Sequence, residues 1–239
     1  MTAIQQDRTT RDLKSVAEQA GRDLEDASAL EILQWAVDTF GAKFCVTSSM
    51  EDAVVAHLAS RARPDGGPVD VVFLDTGYHF PETIGTRDAV EAVMDVNVIT
   101  LTPRQTVAEQ DAEYGPALHD RDPDLCCALR KVKPLEEGLT AYDAWATGLR
   151  RDESPTRAGT PVVGWDEKRQ KVKIAPIARW TQDDMDAYVA EHGVLTNPLL
   201  TDGYASVGCA PCTRRVLEGE DARAGRWAGR SKTECGLHG

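Results

Sequence analysis

Long apolar runs are missing from this sequence, and no stretch approaches the roughly 18 uninterrupted apolar residues that a membrane helix needs. Met1 to Lys14 is polar and carries no apolar segment after basic residues, so no secretory signal is expected there. Low-complexity tracts are absent, and nothing repeats at solenoid spacing. Basic residues are in deficit: 27 Lys and Arg stand against 39 Asp and Glu, a net charge of −12 that opposes nonspecific nucleic-acid binding. The expectation is a cytoplasmic protein with neither a membrane nor a nucleic acid as partner. What is present is 239 residues, 41% of them hydrophobic, enough for one large α/β domain with appendages. The overall charge does not exclude a small anionic ligand, because cations gather locally: Arg130, Lys131 and Lys133; Arg150 and Arg151; Arg223, Arg226 and Arg230.

Ser28-Ala-Leu-Glu31 has the pattern of a capping box, in which the serine oxygen accepts from an early helix amide and the glutamate reaches back. Leu30, Leu33, Trp35, Val37 and Phe40 then supply apolar faces, and Gly41 can end the helix. Ala42 to Thr47 reads as a buried strand, followed by a helix from about Glu51 to Arg61 and a turn at Pro64 to Pro68. Val69 to Leu74 is a second buried strand. Pro81 opens a helix to about Met94, and Val96 to Leu101 is a third strand. Tyr142 to Leu149 and Val172 to Ile174 are later strand candidates, and Thr181-Gln-Asp-Asp184 starts another helix. This alternation predicts a Rossmann-like parallel sheet with helices on both faces, whose ligands sit beyond the carboxyl ends of the strands. Arg11 to Arg22 suits an amphipathic helix packing on a neighbour. Three regions are expected: a segment 1–25, a nucleotide- and cluster-binding unit 26–215, and a mobile tail 216–239.

Three loops fall on the predicted ligand rim. Thr47-Ser48-Ser49-Met50-Glu51-Asp52 leaves a strand and opens a helix, which makes either an anion site or a plain N-cap. Leu74-Asp75-Thr76-Gly77-Tyr78-His79-Phe80-Pro81 joins a turn glycine to aromatic and polar groups. Gly148-Leu-Arg150-Arg151-Asp-Glu-Ser154 offers two guanidiniums of the kind that grip phosphate or sulfate in bidentate fashion.

Six cysteines lie at 45, 126, 127, 209, 212 and 235. Cys45 sits within an apolar strand, where a thiol packs as a small hydrophobe. Cys209-Ala-Pro-Cys212 taken alone suits zinc, a redox dithiol or coincidence. Adjacent residues on a helix point about 100° apart, so Cys126 and Cys127 would distort a compact single-ion site but can reach separate corners of a wider iron–sulfur group. Four thiolates suit either metal chemistry. Cys235 stands in a glycine-flanked tail, Lys232-Thr-Glu-Cys-Gly-Leu-His238, with little apolar context. A reactive thiol needs access and a cationic setting, which Arg223, Arg226, Lys232 and His238 can supply once the tail folds over the site.

Cys126-Cys127 followed by Arg130-Lys131, then Cys209-x-x-Cys212, then Glu234-Cys-Gly-Leu-His238, together with the three loops, resembles the phosphosulfate reductases of the adenine-nucleotide α-hydrolase-like superfamily. The pattern is similar to their cluster-bearing, adenylyl-sulfate type. That resemblance implies a [4Fe–4S] cluster on Cys126, Cys127, Cys209 and Cys212, and Cys235 as catalytic nucleophile. It implies adenylyl sulfate bound by Ser48, Ser49, Glu51, Asp52, Leu74, Asp75, Thr76, Lys131, Arg150, Arg151, Arg223, Arg226 and His238, with Leu74 to Thr76 on the adenosine. Lys131 would link cluster and substrate. A thioredoxin-type dithiol would resolve a thiosulfonate on Cys235, with a homo-oligomer left open. ATP-cleaving relatives carry Ser-Gly-Gly where Ser48-Ser49-Met50 stands, so bulk here is expected to crowd a pyrophosphate. The rival readings are a 3′-phosphoadenylyl-sulfate reductase, an ATP-using adenylyltransferase or thiolation enzyme, and a zinc-stapled nucleotide-binding module without catalysis.

Overall fold

Two apolar runs of the first half form inner strands of one six-stranded sheet, and a third forms one of its edges. A computed structural model describes residues 3–63, 66–230, 232 and 234–237, with side chains from residue 12 onward. Chain order is α1 (Ala3–Asp23), α2 (Ala29–Phe40), β1 (Phe44–Ser48), α3 (Val54–Arg61), β2 (Val69–Leu74), α4 (Pro81–Val93), β3 (Val96–Leu101) and α5 (Val107–Tyr114). The short α6 (Leu118–Arg121), α7 (Pro123–Cys127) and α8 (Lys133–Gly138) follow. The chain then runs through β4 (Ala144–Ala146), β5 (Val163–Asp166), β6 (Lys171–Ile174) and α9 (Gln182–His192). Among the described residues no helix is long and apolar enough to cross a membrane.

The sheet order is β3-β2-β1-β4-β6-β5. β1 pairs in parallel with both β2 and β4, and β3 and β6 extend these pairs in parallel. The sheet is parallel as expected apart from one edge, where β5 runs antiparallel to β6. The four residues between them, Glu167 to Gln170, are too few for a parallel crossover. They close instead as a turn, with Asp166 Oδ1 accepting from the Arg169 amide at 3.0 Å and Gln170 at φ +55°.

Capping chemistry holds the helices where the sequence places them. Ser28 Oγ accepts from the Glu31 amide at 3.3 Å, and Glu31 takes the Ser28 amide at 2.8 Å. Thr181 and Asp184 repeat the arrangement at α9. α3 begins at Val54, three residues later than expected, because Asp52 is held in a β-bridge to Thr196. α1 lies on the chain's own sheet, with Ala17 and Ala20 buried against the β5 side. It comes close enough that a Cβ on Gly21 would fall 2.5 Å from the Val163 carbonyl oxygen. The larger apolar core lies under α1, α2 and α3, and a smaller one joins Cys45, Val72, Leu135, Tyr142 and Trp145 on the opposite face.

This order fixes where a ligand can sit. From β1 the chain proceeds to β2 and β3 on one side and later returns to β4 on the other. The strand directions therefore leave a crevice beyond the carboxyl ends of β1 and β4.

Candidate functional site

The floor of that crevice is the Ser48 to Asp52 loop. Thr47 Oγ1 donates to the Ala146 carbonyl at 2.9 Å, tying the end of β1 to β4. Met50 adopts φ +58°, a left-handed conformation that glycine takes freely and that costs other residues on the order of 1–3 kcal/mol. Its side chain is fully buried in the larger core, so it does not crowd the cleft; Ser49 lines it instead. The strained turn is held from outside. Ser48 Oγ accepts from the Met50 amide at 3.1 Å, and buried Asn197 Nδ2 donates to the Met50 carbonyl at 3.1 Å and to Thr83 Oγ1 at 3.0 Å. Asn197 Oδ1 accepts from the Leu199 amide at 3.1 Å. Asn197→Ala would orphan these buried groups and is expected to cost about 2–3 kcal/mol, read as a lower denaturant midpoint; an unchanged midpoint would show that Asn197 does not hold the loop.

One wall is built by Glu51, which accepts from the Val207 amide at 2.7 Å and from Ser206 Oγ at 3.3 Å. Burial pushes the Glu51 and Asp52 carboxyls above their usual range, against the amide bonds from Val207 and Val54. Arg226 lies across Gly208, whose Cβ would fall 2.3 Å from the guanidinium, and donates to Ser206 Oγ and the Val207 carbonyl. Its Nε is buried with no hydrogen-bond partner among the described residues. His79 faces the same cleft. Its Nε2 lies 2.8 Å from the Leu74 carbonyl, which only accepts, so that nitrogen carries the proton; burial holds the ring below the usual histidine range.

The tail closes over this wall. Arg157 grips Glu234 through Nε at 2.9 Å and Nη2 at 2.8 Å, and reaches Glu153 through Nη1. Arg223 adds a 3.4 Å contact to Glu234. Burial alone would push the Glu234 carboxyl up, but the Arg157 hydrogen bond and the charges of Arg157, Arg223 and Arg226 outweigh it and hold it low. Leu237 packs on the smaller apolar core, and Lys232 pairs with Asp124. Cys235 consequently lines the cleft beside Lys131, Arg223, Arg226 and Trp227.

A second, smaller cavity adjoins the first. Cys126, Cys127, Cys209 and Cys212 all line it, with Thr76, Tyr78, Arg130 and Lys131. α7 does not continue as an α-helix past the cysteine pair; Ala128–Val132 forms a π turn. Lys131 on that turn lines both cavities. Thr76 Oγ1 lies 3.3 Å from Cys209 Sγ. All six cysteines are free thiols. Burial and then the neighbouring cysteines push the Cys126 thiol up to about 12, and burial pushes Cys127 up to about 11 against the charges of Lys131 and Lys232, so both sulfurs favour the neutral thiol until a cation binds them. Among the described residues, no group of three or more His, Cys, Asp or Glu is arranged to hold a metal ion.

Of the residues expected on the substrate, Ser48, Ser49, Glu51, Asp52, Leu74, Lys131, Arg223 and Arg226 line the cleft with Cys235. Thr76 lines the cysteine cavity instead, and Asp75 caps the Gly77 amide at 2.9 Å. Arg150 and Arg151 turn away from the cleft. Arg150 binds Asp152 and Gln182, whereas Arg151 binds Glu25 and the Thr160 carbonyl, because carboxylates beside them already satisfy both guanidiniums. His238 lies outside the described residues. Sequence reasoning placed Glu153 on the third loop without singling it out, and missed Arg157, which reaches the cleft from just beyond that loop.

Comparisons with known proteins identify the family and the fold. The sequence model of the Phosphoadenosine phosphosulfate reductase domain matches residues 43–215. An adenosine 5′-phosphosulfate reductase of Streptomyces coelicolor is 85% identical over the whole of both chains. One from Mycolicibacterium smegmatis is 55% identical over 96% of each. Among solved structures, a phosphoadenylyl-sulfate reductase from Candida auris in a phosphate complex superposes with a TM-score of 0.71 at 27% identity, covering 84% of this chain and 96% of that one. An FMN adenylyltransferase of Candida glabrata shares the fold at a TM-score of 0.56 and 10% identity, over 87% of this chain and 76% of its own. With the family model covering most of the chain and the Streptomyces relative covering all of it, this chain belongs to the phosphoadenosine phosphosulfate reductase family.

Proposed function

We propose that the chain reduces adenylyl sulfate to sulfite and AMP, with Cys235 as the nucleophile. The observation that carries this reading is the position of Cys235 on the β1/β4 crevice beside Lys131 and Arg226. Arg226 feels Glu51 and Glu234 only through space, its donors going to Ser206 Oγ and the Val207 carbonyl, so an incoming sulfate and phosphate would give it and Lys131 direct anionic partners. The activity printed for the Streptomyces and Mycolicibacterium relatives supports the same substrate.

The Cys235 thiolate attacks the sulfate sulfur. The bond from that sulfur to the bridging oxygen breaks, and its electron pair leaves with AMP, producing an S-sulfocysteine. Lys131, Arg223 and Arg226 stabilise the oxygens as charge moves. A thioredoxin-type dithiol then attacks Cys235 Sγ and sulfite departs with the bonding pair. The second thiol of the donor closes its disulfide and frees Cys235, so the two electrons come from the dithiol. Free thiols and a dithiol donor suit a reducing compartment, and a cytoplasmic location is part of this proposal.

Cys126, Cys127, Cys209 and Cys212 would hold a [4Fe–4S] cluster, which fits four free thiols around one cavity and would supply fixed charge next to Lys131. A 3′-phosphorylated substrate is the second reading, favoured by the activity named for the Candida auris structure. An anaerobic visible spectrum with metal analysis tests the cluster: a brown protein with about four irons per chain is expected. A colourless zinc protein that cannot be reconstituted with iron would overturn it. Turnover of the two nucleotides side by side decides the substrate, with adenylyl sulfate expected to be the faster.

A further inference from the structure

The grip on the tail comes from the stretch between β4 and β5, which has little structure of its own. Beyond two single turns of 3₁₀ helix, Arg151–Glu153 and Pro155–Arg157, it is irregular, and Pro155, Thr156, Ala158 and Gly159 are exposed. An open loop of this kind moves freely unless something outside closes it. Here the closure is Arg151. Its amide donates to the Ala178 carbonyl at 2.8 Å, and its Nε donates to the Thr160 carbonyl at 2.8 Å, drawing the far end of the loop back to the near end. Its Nη1 and Nη2 take the two oxygens of Glu25 at 2.7 and 3.0 Å, fork against fork. Glu25 sits in the turn between α1 and α2 and is itself held, because Arg179 donates to its carbonyl and pairs with Asp26. The Arg151 hydrogen bond keeps the Glu25 carboxyl below its usual range, against the effect of burial.

What this loop carries is the dock for the nucleophile. Glu153 Oε2 accepts from the Arg150 amide at 2.9 Å and from Arg157 Nη1, and the other two nitrogens of Arg157 hold Glu234, the neighbour of Cys235 in the chain. We propose that Glu25 and Arg151 are positioning residues for the reaction: their fork closes the loop, the closed loop aims Arg157, and Arg157 keeps Cys235 on the cleft. The inference rests on the reading of Cys235 as nucleophile given above. Neither partner of the fork lines the cleft, so its effect must pass through the loop. With the Arg151 side chain 30% and that of Glu25 41% exposed, the fork adds little to the stability of the whole chain. Its effect is geometric, since a loop closed at a fixed point leaves fewer placements for the side chains it carries. The turn between α1 and α2, remote from the cleft in sequence and in space, thereby takes a part in the chemistry.

The thiols of the chain report on this directly. Wild type, Glu25→Gln, Arg157→Met and the double variant are treated anaerobically with iodoacetamide in the absence of nucleotide. Alkylation is followed by mass at the peptides containing Cys235 and Cys45. Glu25→Gln is expected to raise the rate at Cys235 about fivefold, the scale on which loss of a partly exposed pair shifts an equilibrium. Cys45 lies wholly within the core, so its rate reports opening of the whole fold and should not change. Added to Arg157→Met, Glu25→Gln should change the Cys235 rate by less than about twofold, because residues that act through one contact are not additive. The acid limb of kcat/KM gives a separate reading. Glu234 faces Arg157, Arg223 and Arg226, and a looser Arg157 lets its carboxyl titrate at a higher pH, so the limb in Glu25→Gln should move up. Equal Cys235 rates in wild type and Glu25→Gln, a matching rise at Cys45, full additivity with Arg157→Met or an unmoved acid limb would overturn the proposal. A wild type that forms no sulfur adduct on Cys235 with adenylyl sulfate removes the nucleophile reading itself. One that forms the adduct, with Cys235 equally shielded in wild type and Glu25→Gln, removes only the role of the fork.

Discussion

Cys235→Ser will bind adenylyl sulfate about as tightly as the parent chain and release no sulfite above background. The hydroxyl preserves the size of the side chain, and the Glu234 clamp and Leu237 anchor on either side of it are untouched. What is lost is the thiolate, and removing the nucleophile of a covalent mechanism costs on the order of 10⁴-fold or more in turnover. Calorimetry with the nucleotide and a sulfite assay separate the two properties. The visible spectrum should not change, since Cys235 is not among the four cysteines of the smaller cavity. In wild type, adenylyl sulfate added without a dithiol should leave a peptide containing Cys235 heavier by one SO₃ group. A fully active serine variant would end the assignment of Cys235 as nucleophile.

Arg157→Met is expected to lower kcat/KM by about 10²–10³-fold, a scale at which loss of positioning is felt, with the fold intact. Arg157 grips Glu234, next to Cys235, by two nitrogens at once, and its loss leaves Glu153 and Glu234 facing the cleft without it. A pH profile distinguishes loss of docking from general damage. In the wild-type protein Glu234 is held below the usual glutamate value of 4.5. Its contribution to docking is therefore complete above that value and is lost only as pH falls through the lowered one. Without Arg157 the largest lowering contact is gone while burial remains, so the acid limb of kcat/KM should move to higher pH. An acid limb that stays in place would mean that the tail docks by other means.

The sheet was legible wherever apolar runs were continuous. β1, β2 and β3 appear within about two residues of their expected ends; β1 and β2 are inner strands read as nearly continuous apolar runs, and β3, at the sheet edge, is bounded by the Met94–Asp95 and Thr102–Pro103 breaks in its apolar pattern. β4 was overextended, from an expected Tyr142–Leu149 to an observed Ala144–Ala146. Gly148 and Leu149 look apolar because they line the cleft. β5 escaped notice: four residues, Val163-Gly-Trp-Asp166, carry too little pattern, and their antiparallel direction follows from a turn rather than from periodicity. Of the site, the parts joined to a local motif were visible, including the serine loop, the cysteine pairs and the tail. Arg157 and Glu234 lie 77 residues apart and become partners only when the tail folds back, which no local signal encodes. The adjacent arginines 150 and 151 carried a stronger local signal and were misleading, because their anions, Asp152 and Glu25, are supplied by the fold.

The tail is fastened by unlike forces, and each answers to a different property of the medium. Arg157–Glu234 and Lys232–Asp124 are ion pairs, and Leu237 is an apolar anchor. Dissolved electrolyte weakens exposed charge pairs much more than buried ones and leaves apolar contact in place, so ionic strength loosens first Lys232–Asp124, whose carboxylate is exposed, and only weakly the half-buried Arg157–Glu234 pair, while the anchor holds. Under the proposed cycle the tail has two duties that pull apart: it must stay down for sulfur transfer and come away to meet the dithiol. Electrolyte therefore acts on the two half-reactions in opposite senses, slowing formation of the sulfur adduct and hastening its handover. The surrounding solution thus becomes a throttle on the enzyme, with the fastest sustained flux at an intermediate setting.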